Sequence, residues 1–309
     1  MAIIPGIYAS QISGHLISLA AYFAGGFDTA NIAGIDKIAF SGDTKSTLAA
    51  TLTTAVNGLA GAANSGTAAY FAGGASSGPN ISGIDKIAFS ADTKSTLAAT
   101  LSTARSGLAG AANSGTAAYF AGGVNGTLIA GIDKIAFSGD TKSTLAATLS
   151  SAREWLAGAA NSGTAAYFAG GDYGPNISGI DKIAFSGDTK STLAATLSTA
   201  RDYLAGAANS GTAAYFAGGS GTALISGIDK IAFSADTKST LAATLTTARW
   251  LLSGAANSGT AAYFAGGFDT ANIAGIDKIA FSGDTKSTLA ATLSTARTQQ
   301  AGAANSGVI

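Results

Sequence analysis

The pentapeptide YFAGG occurs six times, with its tyrosine at Tyr22, Tyr70, Tyr119, Tyr167, Tyr215 and Tyr263. Successive tyrosines lie 48, 49, 48, 48 and 48 residues apart, so one unit is copied at a fixed period. The unit is clearest between Leu108 and Arg153. It reads LAGAANSGTAAYFAGG, then a short patch that changes from copy to copy, then GIDKIAFSGDTKSTLAATLSSAR. Several short strand-like runs inside each copy restrict the fold to a propeller or a stacked array. A chain of 309 residues could otherwise hold two ordinary domains, but the repeat overrides that expectation.

The two incomplete pieces at the ends decide between ring and stack. The first YFAGG has no LAGAANSG before it, and the chain finishes with AGAANSG (Ala301 to Gly307) with no YFAGG after it. Each end supplies what the other lacks, which is how a circular array is latched and its free strand edges removed. An open solenoid needs atypical polar capping copies, and none is present. The expectation is an all-β, six-bladed propeller over residues 20–309. Residues 1–19 match no copy and read as an N-terminal arm.

Four antiparallel strands per copy are expected. The first, Leu108 to Ser114, carries only small residues after its leucine, because inner strands converge on a narrow axis. The second, Thr116 to Gly123, puts Tyr119 and Phe120 on opposite faces. The third is Gly131 to Ser138. The fourth, Lys142 to Arg153, alternates Leu145, Ala147 and Leu149 with Thr and Ser, which favours an outer strand. A helix is the competing reading there, since Asp140 could cap it and Leu145 and Leu149 are four apart; the Ser and Thr content weighs against it.

The Gly-Gly doublet after an aromatic-bearing strand, then IDKIAF, a D-T turn, a leucine and an arginine, resembles the kelch repeat. That resemblance spans residues 20 to 307 and implies four-stranded blades in a propeller, with Gly-Gly closing the second strand. It departs at the tryptophan that kelch repeats place a few residues after Thr141, where Ser143 and Thr144 stand. Kelch propellers are mostly binding modules and some are enzymes, so the resemblance alone assigns no function.

Composition removes several classes of function. Lys plus Arg and Asp plus Glu number 17 each, and twelve lysines and twelve aspartates are repeat positions that cancel blade by blade. This balance leaves no electrostatic footprint for nucleic acid or an anionic membrane. With no cysteine there is no disulfide framework and no thiolate metal site. No apolar run is long enough to span a bilayer, and MAIIPGIYASQISGHLISLA lacks the basic start of a signal peptide. His15, the single histidine, reads as a bystander. Neither a phosphate loop nor a calcium loop is present, because GDTKS lacks the spacing of either; turn and cross-strand roles account for the IDK and GDTK motifs. No cofactor is expected.

Only two patches vary substantially between copies. After Gly-Gly the chain reads FDTANIA, ASSGPNIS, VNGTLIA, DYGPNIS, SGTALIS and FDTANIA; at the end of the copy it reads VNG, RSG, REW, RDY, RWL and RTQQ. Strands that alternate up and down bring both patches to one face of the disc, where loops on a rigid scaffold carry binding sites. The candidate ligand-binding residues follow: Phe27, Trp155, Tyr173, Tyr203, Trp250 and Phe268 as aromatic platforms, and Asp28, Glu154, Asp172, Asp202 and Asp269 as acceptors. Aromatic faces beside carboxylates suit sugars, and suit protein interfaces equally. Blade four is densest, with Glu154, Trp155, Asp172 and Tyr173 beside Asp202 and Tyr203, and this cluster is the expected main ligand contact. Glu154 with Asp172 is the one carboxylate pair a glycosidase would need, but no nucleophile, base or metal ligand supports it, so the expectation is no enzyme.

The function expected is recognition of a host glycan or receptor protein by a phage tail-fibre or virion surface protein. The leader IPGIYASQISGHL resembles phage structural proteins, which implies docking to other virion proteins through the arm, with a homo-oligomer also compatible. The alternatives are a structural or decorative component of a virion or other assembly, and an engineered repeat propeller. The irregular leader and the extra residue in the second copy argue against the last.

Overall fold

The computed structural model describes residues 19–306. They form six four-stranded antiparallel sheets arranged as blades around an axis. Blade three is typical: Ala109–Asn113 innermost, then Ala117–Ala121, Ile132–Ala136 and Thr141–Thr144 at the outer edge. Blade one takes its inner strand from the far end of the chain. Ala301–Asn305 pairs antiparallel with Ala20–Ala24, from Ala20 opposite Asn305 to Ala24 opposite Ala301. The expected latch is therefore present. The arm at residues 1–19, and His15 with it, lies outside the described residues except for Leu19.

The core is divided among the six seams between blades. Tyr119 and Phe120 are both fully buried on opposite faces of their strand. Tyr119 packs forward with Phe168 of the next blade, and Phe120 packs back with Tyr70 of the preceding one. Across the same seam the Tyr119 ring lies 5.0 Å from that of Phe185. Such a pair adds about 0.5–1.5 kcal/mol beyond area burial, and it recurs around the ring. At the axis, a Cβ added to Gly110 would sit 2.2 Å from the Gly61 carbonyl oxygen of the neighbouring blade. The small-residue inner strand thus has the steric cause expected of it.

The fourth strand is shorter than its alternation suggested. Only Thr141–Thr144 is strand, and all four residues are exposed. From Leu145 to Arg153 the chain leaves the sheet edge, and Leu145, Leu149 and Arg153 are buried. The four-residue leucine spacing reflects neither outer strand nor helix. It belongs to an irregular strap whose amides at Leu145, Leu149 and Arg153 donate to the carbonyls of Ile132, Ala130 and Ile129.

In each copy one lysine pairs across a seam with an aspartate of the next blade, while Lys45, Lys94, Lys190 and Lys286 lie about 4 Å from an aspartate of their own blade. Lys134 Nζ lies 2.8 Å from Asp188 Oδ2 of the next blade, and Tyr119 Oη donates to Asp188 Oδ1 at 2.8 Å. The same clasp recurs at all six seams, ending with Lys278 and Tyr263 on Asp43. Burial and the Asp188 hydrogen bond push the Tyr119 phenol up to about 12, so it remains a donor. Deeper in, Arg105 Nη2 reaches Asp133 Oδ2 at 3.1 Å and the Phe120 carbonyl at 3.0 Å. Five seams carry this buried guanidinium.

A candidate binding face

The second residue after each arginine position is set in the left-handed region: Gly58, Gly107, Trp155, Tyr203, Leu251 and Gln299 have φ between 53° and 66°. Their backbones are joined head to tail. Gly58 N donates to Gln299 O, Gly107 N to Gly58 O, Trp155 N to Gly107 O, Tyr203 N to Trp155 O, Leu251 N to Tyr203 O and Gln299 N to Leu251 O, at 2.7–3.0 Å. This closed collar rims the axial channel. Four of its six members hold a conformation that side chains disfavour, and the collar bonds hold them there.

Just outside the collar, each residue after the arginine position bridges the residue after a Gly-Gly. The pairs are Asn57 with Ala75, Ser106 with Val124, Glu154 with Asp172, Asp202 with Ser220, Trp250 with Phe268, and Thr298 with Phe27. The two variable patches do meet on one face, as the strand polarity required. The opposite face is uniform, tied by repeated bonds such as Ser114 N to Ser162 Oγ and Gly115 N to Asn64 Oδ1.

Three sectors differ in chemistry. Over the second and third blades the pairs are small and uncharged. Over the fourth and fifth they are acidic. Burial pushes the Asp202 carboxyl up to about 6 against its own backbone hydrogen bond, and the Asp172 and Glu154 charges add to the rise. Glu154 is likewise raised, first by burial and then by Asp172. Tyr203 is pushed up to about 12 by burial, with Asp202, Glu154 and Asp172 adding. Among the described residues, no three His, Asp or Glu side chains are grouped to hold a metal ion.

The aromatic residues fall into two groups that share Trp250. Trp155 stacks on Tyr203 with ring centroids 4.7 Å apart, and Tyr203 meets the edge of Trp250 at 4.8 Å and 82°. The indole of Trp155 lies over Gly58, where an added Cβ would stand 2.9 Å from its Cη2. That ring can occupy the channel mouth only because two collar positions are glycine. The second group lines a trough of about 610 Å³ formed by Phe27, Asp28, Thr29, Asn57, Trp250, Leu251, Phe268, Asn272, Thr298 and Gln299. Asn272 Nδ2 donates to Asp28 Oδ1 at 3.0 Å.

The sequence-predicted residues therefore separate. Glu154, Asp172, Asp202, Trp155 and Tyr203 gather at the acidic sector. Tyr173 stands apart from the stacked rings, 48% exposed. Phe27, Asp28, Trp250 and Phe268 gather at the trough. Asp269, at the position equivalent to Asp28, instead accepts from the amides of Thr270 and Ala271, and those bonds hold its carboxyl below the usual range. Sequence reasoning missed Asn57, Asn272, Leu251, Thr298 and Gln299. Comparing the copies position by position after the arginine would have found the collar residues; the asparagines belong to patches already recognised as variable.

Compared with known protein families and with curated proteins, the chain matches none.

Proposed function

We propose that the protein is a non-enzymatic recognition module that binds a glycan through its variable face, with the trough as the main contact. The observation that carries this reading is the trough itself. Three aromatic side chains line a concavity of about 610 Å³, and Asp28, Asn57 and Asn272 supply polar groups at its edge. A cavity of this size, mostly apolar with a few placed polar groups, is the usual form of a small-ligand site. Indole and phenyl faces stack on the apolar face of a pyranose while carboxylate and amide oxygens accept its hydroxyls. The acidic sector would extend the contact to a longer or cationic saccharide, or to a receptor protein.

The kelch-like order of the repeat favours a binding propeller. The likeness of the leader to phage structural proteins supports a place on a virion, facing a host surface, with residues 1–19 docking to the particle. A labelled glycan array tests recognition. Binding that is lost in Trp250→Ala with Phe268→Ala supports the reading, and binding unaffected by that pair overturns the assignment to the trough. Silence across a broad array sinks glycan recognition and favours an assembly component, whose six-fold uniform face would be the contact. Deletion of residues 1–19 should leave a folded ring that no longer enters particles.

A further inference from the structure

The seam between blades one and two lacks the arginine that the other five possess. Arg105, Arg153, Arg201, Arg249 and Arg297 each insert from one blade against a buried aspartate of the next. At the sixth seam the equivalent residue is Val56 and the aspartate is Asp85. A cavity of about 140 Å³ lies there, lined by Val56, Leu59, Phe71, Gly73, Asp85 and Thr96 among others. The Asp85 side chain is 10% exposed, against 0–1% for its five counterparts, so this seam is open to water where the others are closed.

Two of the groups that receive a guanidinium elsewhere line this cavity. In the fully occupied seam at Arg249, Nη1 donates to Asp277 Oδ2 at 3.0 Å and Nη2 to the Phe264 carbonyl at 3.0 Å. The corresponding residues are Asp85 and Phe71. Asp85 Oδ1 is held by Thr53 Oγ1 and Thr96 Oγ1, and among the described residues Oδ2 accepts the Thr53 amide alone. The nearest cation, Lys94, stands 4.0 Å from Oδ1.

Thr53 does not compensate for the missing arginine. Thr246 makes the same amide and hydroxyl contacts to Asp277 while Arg249 is also present. The threonine contacts therefore leave room for a cation at Oδ2. Lys94 touches only the Oδ1 side of this carboxylate and only at 4.0 Å, and a cation that pairs with Oδ2 gains what the five sibling arginines gain.

We propose that the Val56–Asp85 seam is a binding site for a guanidinium group, carried either by a free small molecule or by an arginine side chain of a partner. Cavities of about 150 Å³ hold a molecule as large as benzene, and methylguanidinium is smaller. The ligand would lie as the sibling arginines do, donating to Asp85 Oδ2 and the Phe71 carbonyl.

The test is calorimetric titration of the full chain with methylguanidinium chloride, and separately with N-acetylarginine amide, each against sodium chloride at equal ionic strength. Saturable binding at one site per chain is expected. It should be lost in Val56→Arg, which supplies the group from within, and in Asp85→Asn, which removes the carboxylate that the guanidinium would pair with. Binding of the small probe alone assigns the site to a free ligand; binding of both admits a partner arginine. No saturation in the native chain, or equal binding in Val56→Arg, overturns the proposal. Should Val56→Arg fail to fold, undiminished binding in Asp85→Asn overturns it as well.

Discussion

The seams and the variable face are built from the same copied unit, yet they hold together by different groups. At a seam the ties are side chain to side chain: Tyr119 and Lys134 to Asp188, Arg153 to Asp181. On the face the collar and the bridges beside it are tied backbone to backbone, with asparagine side chains adding a few bonds between blades. A backbone bond survives a change of side chain, whereas a clasp does not. That difference explains why residues 154, 202 and 250 can be Glu, Asp and Trp while the tyrosine, lysine and aspartate of the clasp stay the same in every copy.

The sharpest way to break this comparison is to remove one buried arginine. Arg201→Met strands Asp229, whose side chain is fully buried, and should cost about 3–5 kcal/mol in urea unfolding. A loss near zero would mean that the seams are held by packing alone. A smaller effect is expected at the clasp, because its charges are partly solvated. Asp140→Asn weakens the contacts from Tyr70 and Lys86, with a loss of about 1–2 kcal/mol that shrinks at high salt.

On the face, the expected sign reverses. Asp202 has a folded pKa of about 6, above its value in an open chain. The folded state therefore holds the proton more tightly, and the charged form is destabilising. Stability from this group falls as pH rises from about 4 to about 6 and stays low above that range. Asp202→Asn should raise stability by roughly 1–3 kcal/mol at pH 7.5 and by little at pH 4. Thermal melts of native and variant protein across that range check it; parallel curves would remove the burial argument. Least of all, Tyr173→Ala should change stability by under about 0.5 kcal/mol, since its ring is nearly half exposed.

The ring was legible because its signals are periodic. Six tyrosines at fixed spacing gave the blade count, and the complementary ends Ala20–Ala24 and Ala301–Asn305 gave the closure. Alternation misled at Leu145 and Leu149, because buried residues on a strap that crosses a seam imitate a half-buried strand. The clasp was hidden for another reason. Lys134 and Asp188 are 54 residues apart, and nothing local distinguishes a pairing with the next copy from one within the same copy. At the site, residue types pointed to the right face. The division into an acidic sector and a trough depends on the circular order of the copies, which places Phe27 beside Thr298. The cavity at Asp85 could have been read from a single departure, Val56 where five copies have arginine.

The latch also determines how such a ring must be tethered. Ala20 and Asn305 are opposite one another at the edge where the other blades make their Asn-Ser-Gly-Thr turns. The polypeptide thus enters and leaves the disc on the side away from the trough and the stacked indoles. Anything joined at either end starts behind the molecule, so a ring anchored by its own chain presents its diversified surface outward.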